Sequence, residues 1–515
     1  MKSIVYIDDY KNFSGNAKTD GINFIGFNPP DKTELIRRTK PFLGKAISLE
    51  LIDEIKKKTL LFYRDEGFFV VDVSALANQD ITDGSLKILV TVGKTGNVKV
   101  EGNKYFSKQQ YLKGFDLRKG DQVNENQVVK DLYWLNLSPY RNVDIIYEKG
   151  KEIGYTDITL KANDIKPMKV IAGYDHSKYQ IAGSNRFTLG FNLGNLFYNS
   201  HQLNFQLMGS PEIGRWAGLN GSYIIPLPWK NSLKVYGCYV RSKPEEKPIN
   251  LSEGDNLIGK FWQISPRYNF YFKTYSTYYQ TLQLGYDFKR TNNFLEIIDG
   301  VVSLNKIDIS QFLIRYEGEK KFKKGGIFFG ASMYISPGSM TDNNKTRNFD
   351  VTRPGAKSEY YYFTFNFDSI WRFSEYLFWA FSSYIQTTTS KLLPIEELSL
   401  GGMYTVRGYP ENEIISDRGF YMRNELRLKE MSFYNKKSNI QFLGFIDYGY
   451  GNDVDQNILD KNNAHLLSIG PGLRYNLKEL LTVKFDYGFQ LKEIYGRLFG
   501  KNIDSEAHLS VYWEF

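Results

Sequence analysis

Residues 481–490, LTVKFDYGFQ, alternate without a break between apolar side chains and small, polar or charged ones. Successive side chains of a β-strand point to opposite faces, so this segment predicts one wholly apolar face and one polar face. The same pattern recurs in RFTLGFNLG (186–194) and in the last eight residues, HLSVYWEF (508–515). This alternation is typical of a strand in a transmembrane β-barrel, where one face meets lipid and the other meets water.

The composition agrees with a barrel and excludes several other classes. Tyr (38) and Phe (37) are abundant among the 515 residues, yet the mean hydropathy of −0.41 is too polar for a helical membrane protein. The sequence has no apolar run of the roughly eighteen residues that a transmembrane helix needs. A secreted array of β-sandwiches is the competing class. The net charge of +9 is scattered along the chain, so nucleic acid is not predicted as a partner.

The N-terminus and the cysteine count carry little further information. The first residues, MKSIVYIDDYKNF, lack the apolar core and the small-residue cleavage site of a signal peptide. We therefore expect an exported chain of this sequence to be a mature or trimmed form. The single cysteine, Cys238, excludes an internal disulfide framework.

Two small α+β units precede the strand-rich region. Residues 1–21 are predicted to be an N-terminal extension, and residues 22–93 to run β-α-α-β-β, with helices that begin after Asp31 and Ser48. Residues 94–164 repeat this order, with the helices SKQQYLKGF and NENQVVKDLYWLNLSP and the closing strands NVDIIYEKG and GYTDITLKAND. Two consecutive units of similar length and order form an internal repeat.

Residues 165–515 contain only strand patterns, about sixteen of them. Long polar loops are predicted at PEEKPINLSEGDN (244–256) and SPGSMTDNNKTRNFD (336–350). The predicted fold is therefore two small α+β units followed by a 16-stranded antiparallel transmembrane β-barrel. A barrel of this size leaves an aqueous lumen unless something occupies it.

The sequence offers no catalytic or metal-binding constellation. It has neither a G-x-S-x-G elbow nor a phosphate-binding loop, and the four histidines are far apart along the chain. The adjacent carboxylates Glu396 and Glu397 fall in a predicted loop, where we expect them to be solvated. No catalytic residue, metal ligand or cofactor is predicted, and the protein is not expected to be an enzyme.

Three segments together carry a family resemblance. LNLSPYRNVDIIYEKGKEIGYTDITLKANDIKP (135–167), VRGY (406–409) and FIDYG (445–449) occur in this order after two α+β units. The chain thus resembles the TpsB transporters of two-partner secretion, the haemolysin and filamentous-haemagglutinin exporters of Gram-negative outer membranes. They belong to the superfamily of barrels with periplasmic POTRA domains that includes the assembly factor BamA. The resemblance identifies residues 22–93 and 94–164 as POTRA-like domains.

The resemblance implies a function, a location and partners. The chain would export a large unfolded exoprotein across the outer membrane without ATP, and the POTRA-like domains would capture this client in the periplasm. Outer-membrane lipids and lipopolysaccharide would surround a barrel that acts as a monomer. Members of the family often begin with a helix that plugs the lumen. Asp8, Asp9, Gly15 and Gly21 argue against a long plug helix in residues 1–21, so either this protein lacks the plug or the plug was removed.

The resemblance also implies roles for particular residues. The loop between the eleventh and twelfth strands, about residues 391–418, would fold into the lumen with Val406, Arg407, Gly408 and Tyr409 at its tip. Arg407 would pair with a carboxylate on the inner wall. Strand parity points Asp447 of FIDYG inward, which makes it the preferred partner, while Asp486 and Glu425 are rival partners.

Capture of the client would use β-augmentation or a groove between a strand and a helix. The candidate positions are Val98, Val100 and Tyr105 near the outer strand of the second POTRA-like unit, although these residues could equally belong to its core. Two other functions stay open at this point. An assembly factor that inserts other barrels would favour more POTRA units, and a passive porin would have no use for them.

Overall fold

The computed structural model describes residues 1–9, 20–26, 28–76, 79–152, 154–177, 183–211, 215–243, 259–272, 277–292, 306–433, 437–454, 464–492 and 505–515. The predicted loop 244–256 lies outside these residues. The chain separates into two compact units, Met1–Ile165 and Lys166–Phe515.

The N-terminal unit begins with a four-stranded sheet and two helices. Its elements are β1 (Ser3–Ile7), β2 (Gly21–Ile25), α1 (Lys32–Thr39), α2 (Leu49–Asp65), β3 (Val71–Ala75) and β4 (Ser85–Val92). The predicted caps are present, since Asp31 accepts a hydrogen bond from Glu34 N at 2.9 Å and Ser48 accepts one from Leu51 N at 3.1 Å. These side chains satisfy amide groups that the first helical turn leaves without partners.

The strand β1 corrects the prediction that residues 1–21 form an extension outside the first unit. Ser3–Ile7 lies in the middle of the sheet, whose order is β2-β1-β4-β3, and it pairs in parallel with both β2 and β4. Ile4, Val5, Tyr6 and Ile7 are all 0% exposed. The strand is not predicted from the sequence, because its five residues do not alternate between apolar and polar side chains and so show no strand periodicity.

Because β1 is central, we expect Val5→Asp to unfold the first sheet. An unpaired carboxylate in an apolar interior costs several kcal/mol, a large part of the roughly 5–15 kcal/mol that stabilises a domain. Limited proteolysis of the full chain should then cleave within residues 1–92 while the barrel stays intact. Leu49→Asp is the matched control, because Leu49 is 82% exposed. Equal protease resistance of both variants would contradict a central β1.

The second sheet of this unit has three strands, in the order β5-β7-β6. Its elements are β5 (Lys94–Glu101), α3 (Lys108–Gly114), α4 (Glu125–Asn136), β6 (Arg141–Lys149) and β7 (Tyr155–Asp164). The predicted order β-α-α-β-β holds here. Asp164 fixes the turn after β5, since its carboxylate accepts hydrogen bonds from the amides of Lys104, Tyr105 and Phe106.

The second compact unit is a closed antiparallel barrel. Its wall is built from β8 (Met168–His176), β9 (Asn185–Leu196), β10 (His201–Gly209), β11 (Trp216–Pro226), β12 (Ser232–Ser242), β13 (Gly259–Tyr271), β14 (Tyr278–Thr291), β15 (Ile307–Phe322), β16 (Gly325–Pro337), β17 (Glu359–Arg372), β18 (Leu377–Thr388), β21 (Arg418–Leu428) continued by β22 (Met431–Phe433), β23 (Ser438–Asn452), β24 (Ala464–Leu477), β25 (Leu481–Gln490) and β26 (Ser505–Glu514). Since β21 and β22 both pair with β23, they form one interrupted strand, and the predicted count of sixteen is confirmed.

Burial follows the predicted alternation along the wall. On β25, Phe485 and Phe489 are 40% and 47% exposed on the outer face, whereas Asp486 between them is 1% exposed. On β26, Trp513 is exposed while His508 and Ser510 are buried. An apolar outside and a polar inside are what a barrel in lipid requires. Among the described residues, no helix is long and apolar enough to cross a membrane.

The connections between strands alternate in length. Tight turns such as 323–324, 373–376 and 478–480 close one end of the barrel. The first wall strand, β8, begins at this end, and the last, β26, ends there. Long loops lie at the other end, and one of them contains the short helix α5 (Thr346–Thr352) inside the segment predicted to be a polar loop. Short turns at one end and long loops at the other are typical of outer-membrane barrels, in which the short turns face the periplasm.

Candidate functional site

The segment between β18 and β21 forms a hairpin. Its two short strands, β19 (Leu398–Leu400) and β20 (Ile414–Ser416), pair antiparallel and carry residues 401–413 at their ends. This is the segment predicted at about 391–418. We call residues 389–417 the lumen loop and residues 401–413 its tip.

The tip turns sharply at its glycines. Gly402 and Gly408 adopt φ angles of +84° and +87°, a left-handed conformation that side chains other than glycine's rarely take. The Gly402 amide donates to the Tyr409 carbonyl at 3.0 Å, and the Thr405 hydroxyl donates to the Gly401 carbonyl at 2.6 Å. The tip is therefore a compact unit that presents residues 406–409 to the barrel wall.

Arg407 makes the central contact between the tip and the wall. Its Nε lies 2.7 Å from Asp447 Oδ2 and its Nη2 lies 2.8 Å from Asp447 Oδ1, which is a bidentate pair. Its Nη1 also donates to Glu425 Oε1 at 2.6 Å and lies 3.4 Å from Asp486 Oδ2. Asp447 lies on β23, Glu425 on β21 and Asp486 on β25. One guanidinium thus joins three strands of the inner wall.

The three carboxylates are not rivals, since Arg407 contacts all of them. Other cations support two of the three: Arg427 Nη2 lies 2.6 Å from Glu425 Oε2, and Arg474 donates to both oxygens of Asp486, at 2.8 and 3.0 Å. Asp447 differs, because Arg407 is its one ion-pair partner among the described residues. Of the three carboxylates, Asp447 therefore depends most on the lumen loop for its ion pair, in agreement with its choice as the preferred partner.

The environment of Arg407 keeps the guanidinium charged. The side chain is 0% exposed, and its Cζ lies 3.7 Å from the ring centroid of Phe445. Burial alone would lower the pKa of Arg407, but the hydrogen bonds to Asp447 and the nearby carboxylates outweigh burial and raise it above its usual range. A buried, paired guanidinium over an aromatic face is held by charge, hydrogen bonds and cation–π attraction together.

The backbone of the tip is held as closely as the arginine. The Gly408 amide donates to His508 Nε2 at 3.1 Å, and Gln490 Nε2 donates to the Gly408 carbonyl at 2.6 Å. A Cβ on Gly488 of β25 would lie 2.5 Å from Gly408 N, so the two backbones touch. His508, Gln490 and Gly488 were not singled out from the sequence, although strand parity places all three on the inner face.

The remaining tip residues pack against the same wall. Val406 and Tyr409 are both 0% exposed and share a cluster with Leu400 and Leu466. The Tyr409 hydroxyl lies 2.9 Å from the Leu467 carbonyl and 2.7 Å from the Lys492 carbonyl. All four predicted tip residues thus lie against the wall strands β23 to β26.

A buried cluster anchors the base of the lumen loop and corrects the expectation that Glu396 is solvated. Glu396 is 5% exposed, and its carboxylate lies 2.5 Å from Lys289 Nζ on β14. Tyr362 on β17 donates to the same carboxylate at 2.7 Å, and Gln311 on β15 donates at 3.1 Å. The base of the loop packs against β14, β15 and β17, so this acidic residue meets buried partners and not water.

Glu396→Ala should destabilise the barrel, because it leaves Lys289 without its carboxylate partner. Breaking a buried ion pair from one side typically costs about 3–5 kcal/mol. Urea unfolding in detergent, followed by gel mobility of unheated samples, would measure the loss. Glu319→Ala is the control, since Glu319 makes an exposed pair with Lys321 and should change stability by less than about 1 kcal/mol. A similar small change for Glu396→Ala would contradict the anchor.

Both ends of the loop also meet Arg353, which follows α5. Its Nη1 lies 2.6 Å from Glu397 Oε1 and 2.5 Å from Asp417 Oδ1, and its Nη2 lies 3.3 Å from Asp453 Oδ1. The oxygens of these three carboxylates lie close enough together to ligate a metal ion, but the Arg353 guanidinium already forms ion pairs with all three. Glu397 is thus paired as well, and the solvated prediction is wrong for both residues of this acidic pair.

A further ion pair holds the part of the tip that leads into β20. Glu411 accepts two hydrogen bonds from Arg186 on β9, at 2.8 and 2.7 Å. The loop is therefore fixed at its base, at its tip and along its side. All three attachments are charge-assisted and largely removed from water, which makes them stronger than surface ion pairs.

The predicted client-binding positions lie in the second sheet of the N-terminal unit. Val100 is 4% exposed in a core with Ile158 and Leu160, and Val98 packs partly against the same core. Assigning the Val100 side chain to a client is therefore wrong, because inward residues of an edge strand fill the core of a small unit. Tyr105 is 47% exposed and stays a candidate.

Comparisons with known proteins agree with this architecture. The family model described as haemolysin secretion/activation protein ShlB/FhaC/HecB matches residues 154–475. The chain is 22% identical over 460 residues to the heme/hemopexin transporter protein HuxB of Haemophilus influenzae (strain 86-028NP), covering 86% of this chain and 78% of that protein. It is 21% identical over 456 residues to the outer membrane transporter CdiB of Dickeya dadantii (strain 3937), covering 82% and 73%. The solved structure of CdiB from Escherichia coli shares the fold, with a TM-score of 0.80 at 15% identity and coverage of 100% of this chain and 90% of that chain.

Proposed function

This chain belongs to the ShlB/FhaC/HecB family of haemolysin secretion/activation proteins, and from that membership we propose that the lumen loop, latched by Arg407, forms one side of its export path. The chain is an outer-membrane transporter of two-partner secretion, with its POTRA domains in the periplasm. It exports a partner protein, and the proposal concerns how the barrel passes that partner.

The observation that carries the proposal is the space that the attached loop leaves open. A cavity of about 920 Å³ lies beside the tip. Met403 and Tyr404 of the tip line one side of it, and residues of β15 to β18 line the other, among them Asp368 and Ser382. An extended chain could pass here while the loop stays attached to the wall.

Arg407 serves in this proposal as a structural latch. Its pairing with Asp447, Glu425 and Asp486 holds the tip against β21, β23 and β25, so that the tip does not move into the cavity. The residue needs no chemical reactivity for this role, only a planar, permanently charged group that can bridge several carboxylates. We accordingly assign the protein no catalytic step and no cofactor.

The partner enters the path from the periplasmic side as an unfolded exoprotein. Tyr105 and the edge strands of the second POTRA domain are the proposed first contacts. Export needs no ATP, because folding of the client outside the cell makes its return unfavourable. We propose that the transporter works as a monomer, with outer-membrane lipids and lipopolysaccharide around its apolar outer face.

Deleting the gene for this chain tests the proposed function against its two rivals. A large exoprotein should disappear from the culture medium, while other outer-membrane barrels and small-solute uptake keep their normal levels. Complementation with the intact chain should restore that exoprotein. General loss of barrels would instead indicate an assembly factor, and reduced solute uptake with normal exoprotein release would indicate a porin.

A further inference from the structure

The cavity beside the tip has a cationic wall near the periplasmic end of the barrel. Lys484 lies on β25, four residues after the tight turn 478–480, and Arg474 lies directly opposite it on β24. Both residues line the cavity, and Lys484 is exposed to it. Like charges directly opposite each other on neighbouring strands repel, so this pair costs stability unless an anion compensates it.

No described carboxylate pairs directly with Lys484, and Asp486 and Asp175 attract it only from a distance. Arg474 uses its guanidinium on Asp486, at 2.8 and 3.0 Å. Lys484 makes no ion pair with any described residue. Arg423, on the adjacent part of the wall, has a buried Nε that lacks a hydrogen-bond partner within the described chain. Lys484 thus presents its ammonium group to the cavity without a direct carboxylate partner among the described residues.

The local charge count points the same way. Among the charged residues that line the cavity, six are cations and five are carboxylates, which leaves one positive charge in excess: Lys320, Lys321, Arg423, Arg427, Arg474 and Lys484 against Glu319, Asp368, Glu425, Glu430 and Asp486. The opposite wall offers no surplus of acid close by, because Glu319 pairs with Lys321 at 3.1 Å and Lys320 balances the charge of Asp368. The excess therefore faces the open cavity.

We propose that Lys484, with Arg474 and Arg423 beside it, forms a contact site for carboxylate side chains of the client as it passes in extended form. The inference rests on the proposed export path. Contacts of this kind suit a moving chain, because each ion pair in a hydrated lumen is weak and readily exchanged. They also raise the local concentration of acidic segments at the periplasmic entrance, since charged walls of low dielectric focus the field.

The electrostatic part of this proposal can be tested without any client. In a Cys238→Ser background, Thr482→Cys places a thiol on the cavity wall beside Lys484, and Ala380→Cys places one on the opposite wall. Anionic and cationic methanethiosulfonate reagents of equal size are then compared on the full chain in detergent. We expect the anionic reagent to react roughly fivefold faster at position 482, and Lys484→Gln to remove most of that preference. The preference at position 380 should not change.

A reagent preference at position 482 that is unaffected by Lys484→Gln would overturn the site. If Lys484→Gln removes it, protection experiments identify the ligand. A poly-glutamate peptide should slow labelling at position 482 at concentrations where inorganic phosphate of equal total charge does not. Equal protection by both would show a general anion sink and overturn the assignment to a polypeptide.

Export kinetics complete the test. Lys484→Glu should slow release of the exoprotein several-fold, and Lys484→Arg should restore it, whereas a structural role for the lysine would not follow charge in this way. Unchanged export by Lys484→Glu would overturn the client contact even where the reagent preference holds. Because the reagent assay needs no export, failure of the proposed function and failure of this site can be told apart.

Discussion

Arg407→Ala is expected to reduce export of the partner at least about a hundredfold while the barrel stays folded and inserted. Removing one side of a buried ion pair costs about 3–5 kcal/mol, and each 1.4 kcal/mol shifts the docking equilibrium of the tip about tenfold. Asp447 would lose both side-chain bonds that Arg407 supplies. Glu425 and Asp486 would keep Arg427 and Arg474, so the wall itself should survive.

Exoprotein in the medium, divided by the amount of inserted transporter, measures this effect. Arg407→Lys should give an intermediate loss, since a lysine keeps the charge but cannot form the fork that grips Asp447. Arg372→Ala is the control, because Arg372 lies exposed beside a tight turn. Normal export by the Arg407→Ala transporter would show that Arg407 does not act as a latch.

Gly488→Ala is expected to reduce export nearly as much, although it adds only one methyl group. Its Cβ would lie 2.5 Å from Gly408 N and 2.6 Å from Gly408 Cα, and backbone atoms cannot move aside as a flexible side chain can. The tip would have to leave the wall, which breaks the Arg407 contacts as well. Overpacking of this kind costs about 1–3 kcal/mol or more.

The matched control for Gly488→Ala is Gly444→Ala. Gly444 also lies in a wall strand, but a Cβ there would meet no atom within 4 Å. Export by the two variants is compared together with the accessibility to thiol reagents of a cysteine at Val406, which is 0% exposed when the tip is docked. A Gly488→Ala variant with wild-type export and a protected position 406 would show that the backbones do not need this close approach.

Much of the fold could be predicted because barrel strands repeat one simple physical pattern. The alternation of LTVKFDYGFQ predicts an inward Asp486, and the structure buries that residue while it exposes Phe485 and Phe489. The same parity places Asp447 inward, where Arg407 lies 2.7 Å away. Parity cannot rank carboxylates that lie on different strands, so the sequence left Asp447, Asp486 and Glu425 as alternatives. Arg407 contacts all three carboxylates. The double substitution Arg407→Asp with Asp447→Arg would therefore place a new carboxylate, at position 407, beside Glu425 and Asp486.

The residues that sequence reasoning missed depend on long-range contacts. Ser3–Ile7 shows no alternation, and only its two neighbours in the sheet reveal it as a central strand. Glu396 looks like a solvated loop residue until the loop crosses to Lys289, which is 107 positions away in the chain. Val100 looked available on an outer strand, but it fills the core of a small unit. In each case tertiary contacts decide the environment, and local pattern carries no signal for them.

The most direct test of the latch replaces it with a covalent bond. A Cβ on Gly449 would lie 2.8 Å from Val406 Cγ2, so cysteines at both positions are close enough for a disulfide between the tip and β23. The measurement is export by a chain carrying Arg407→Ala, Val406→Cys and Gly449→Cys in a Cys238→Ser background, with and without reductant. If Arg407 only holds the tip in place, the disulfide should restore most of the export and reductant should abolish it again. A confirmed disulfide that leaves export absent, or that blocks export when Arg407 is present, would contradict the account.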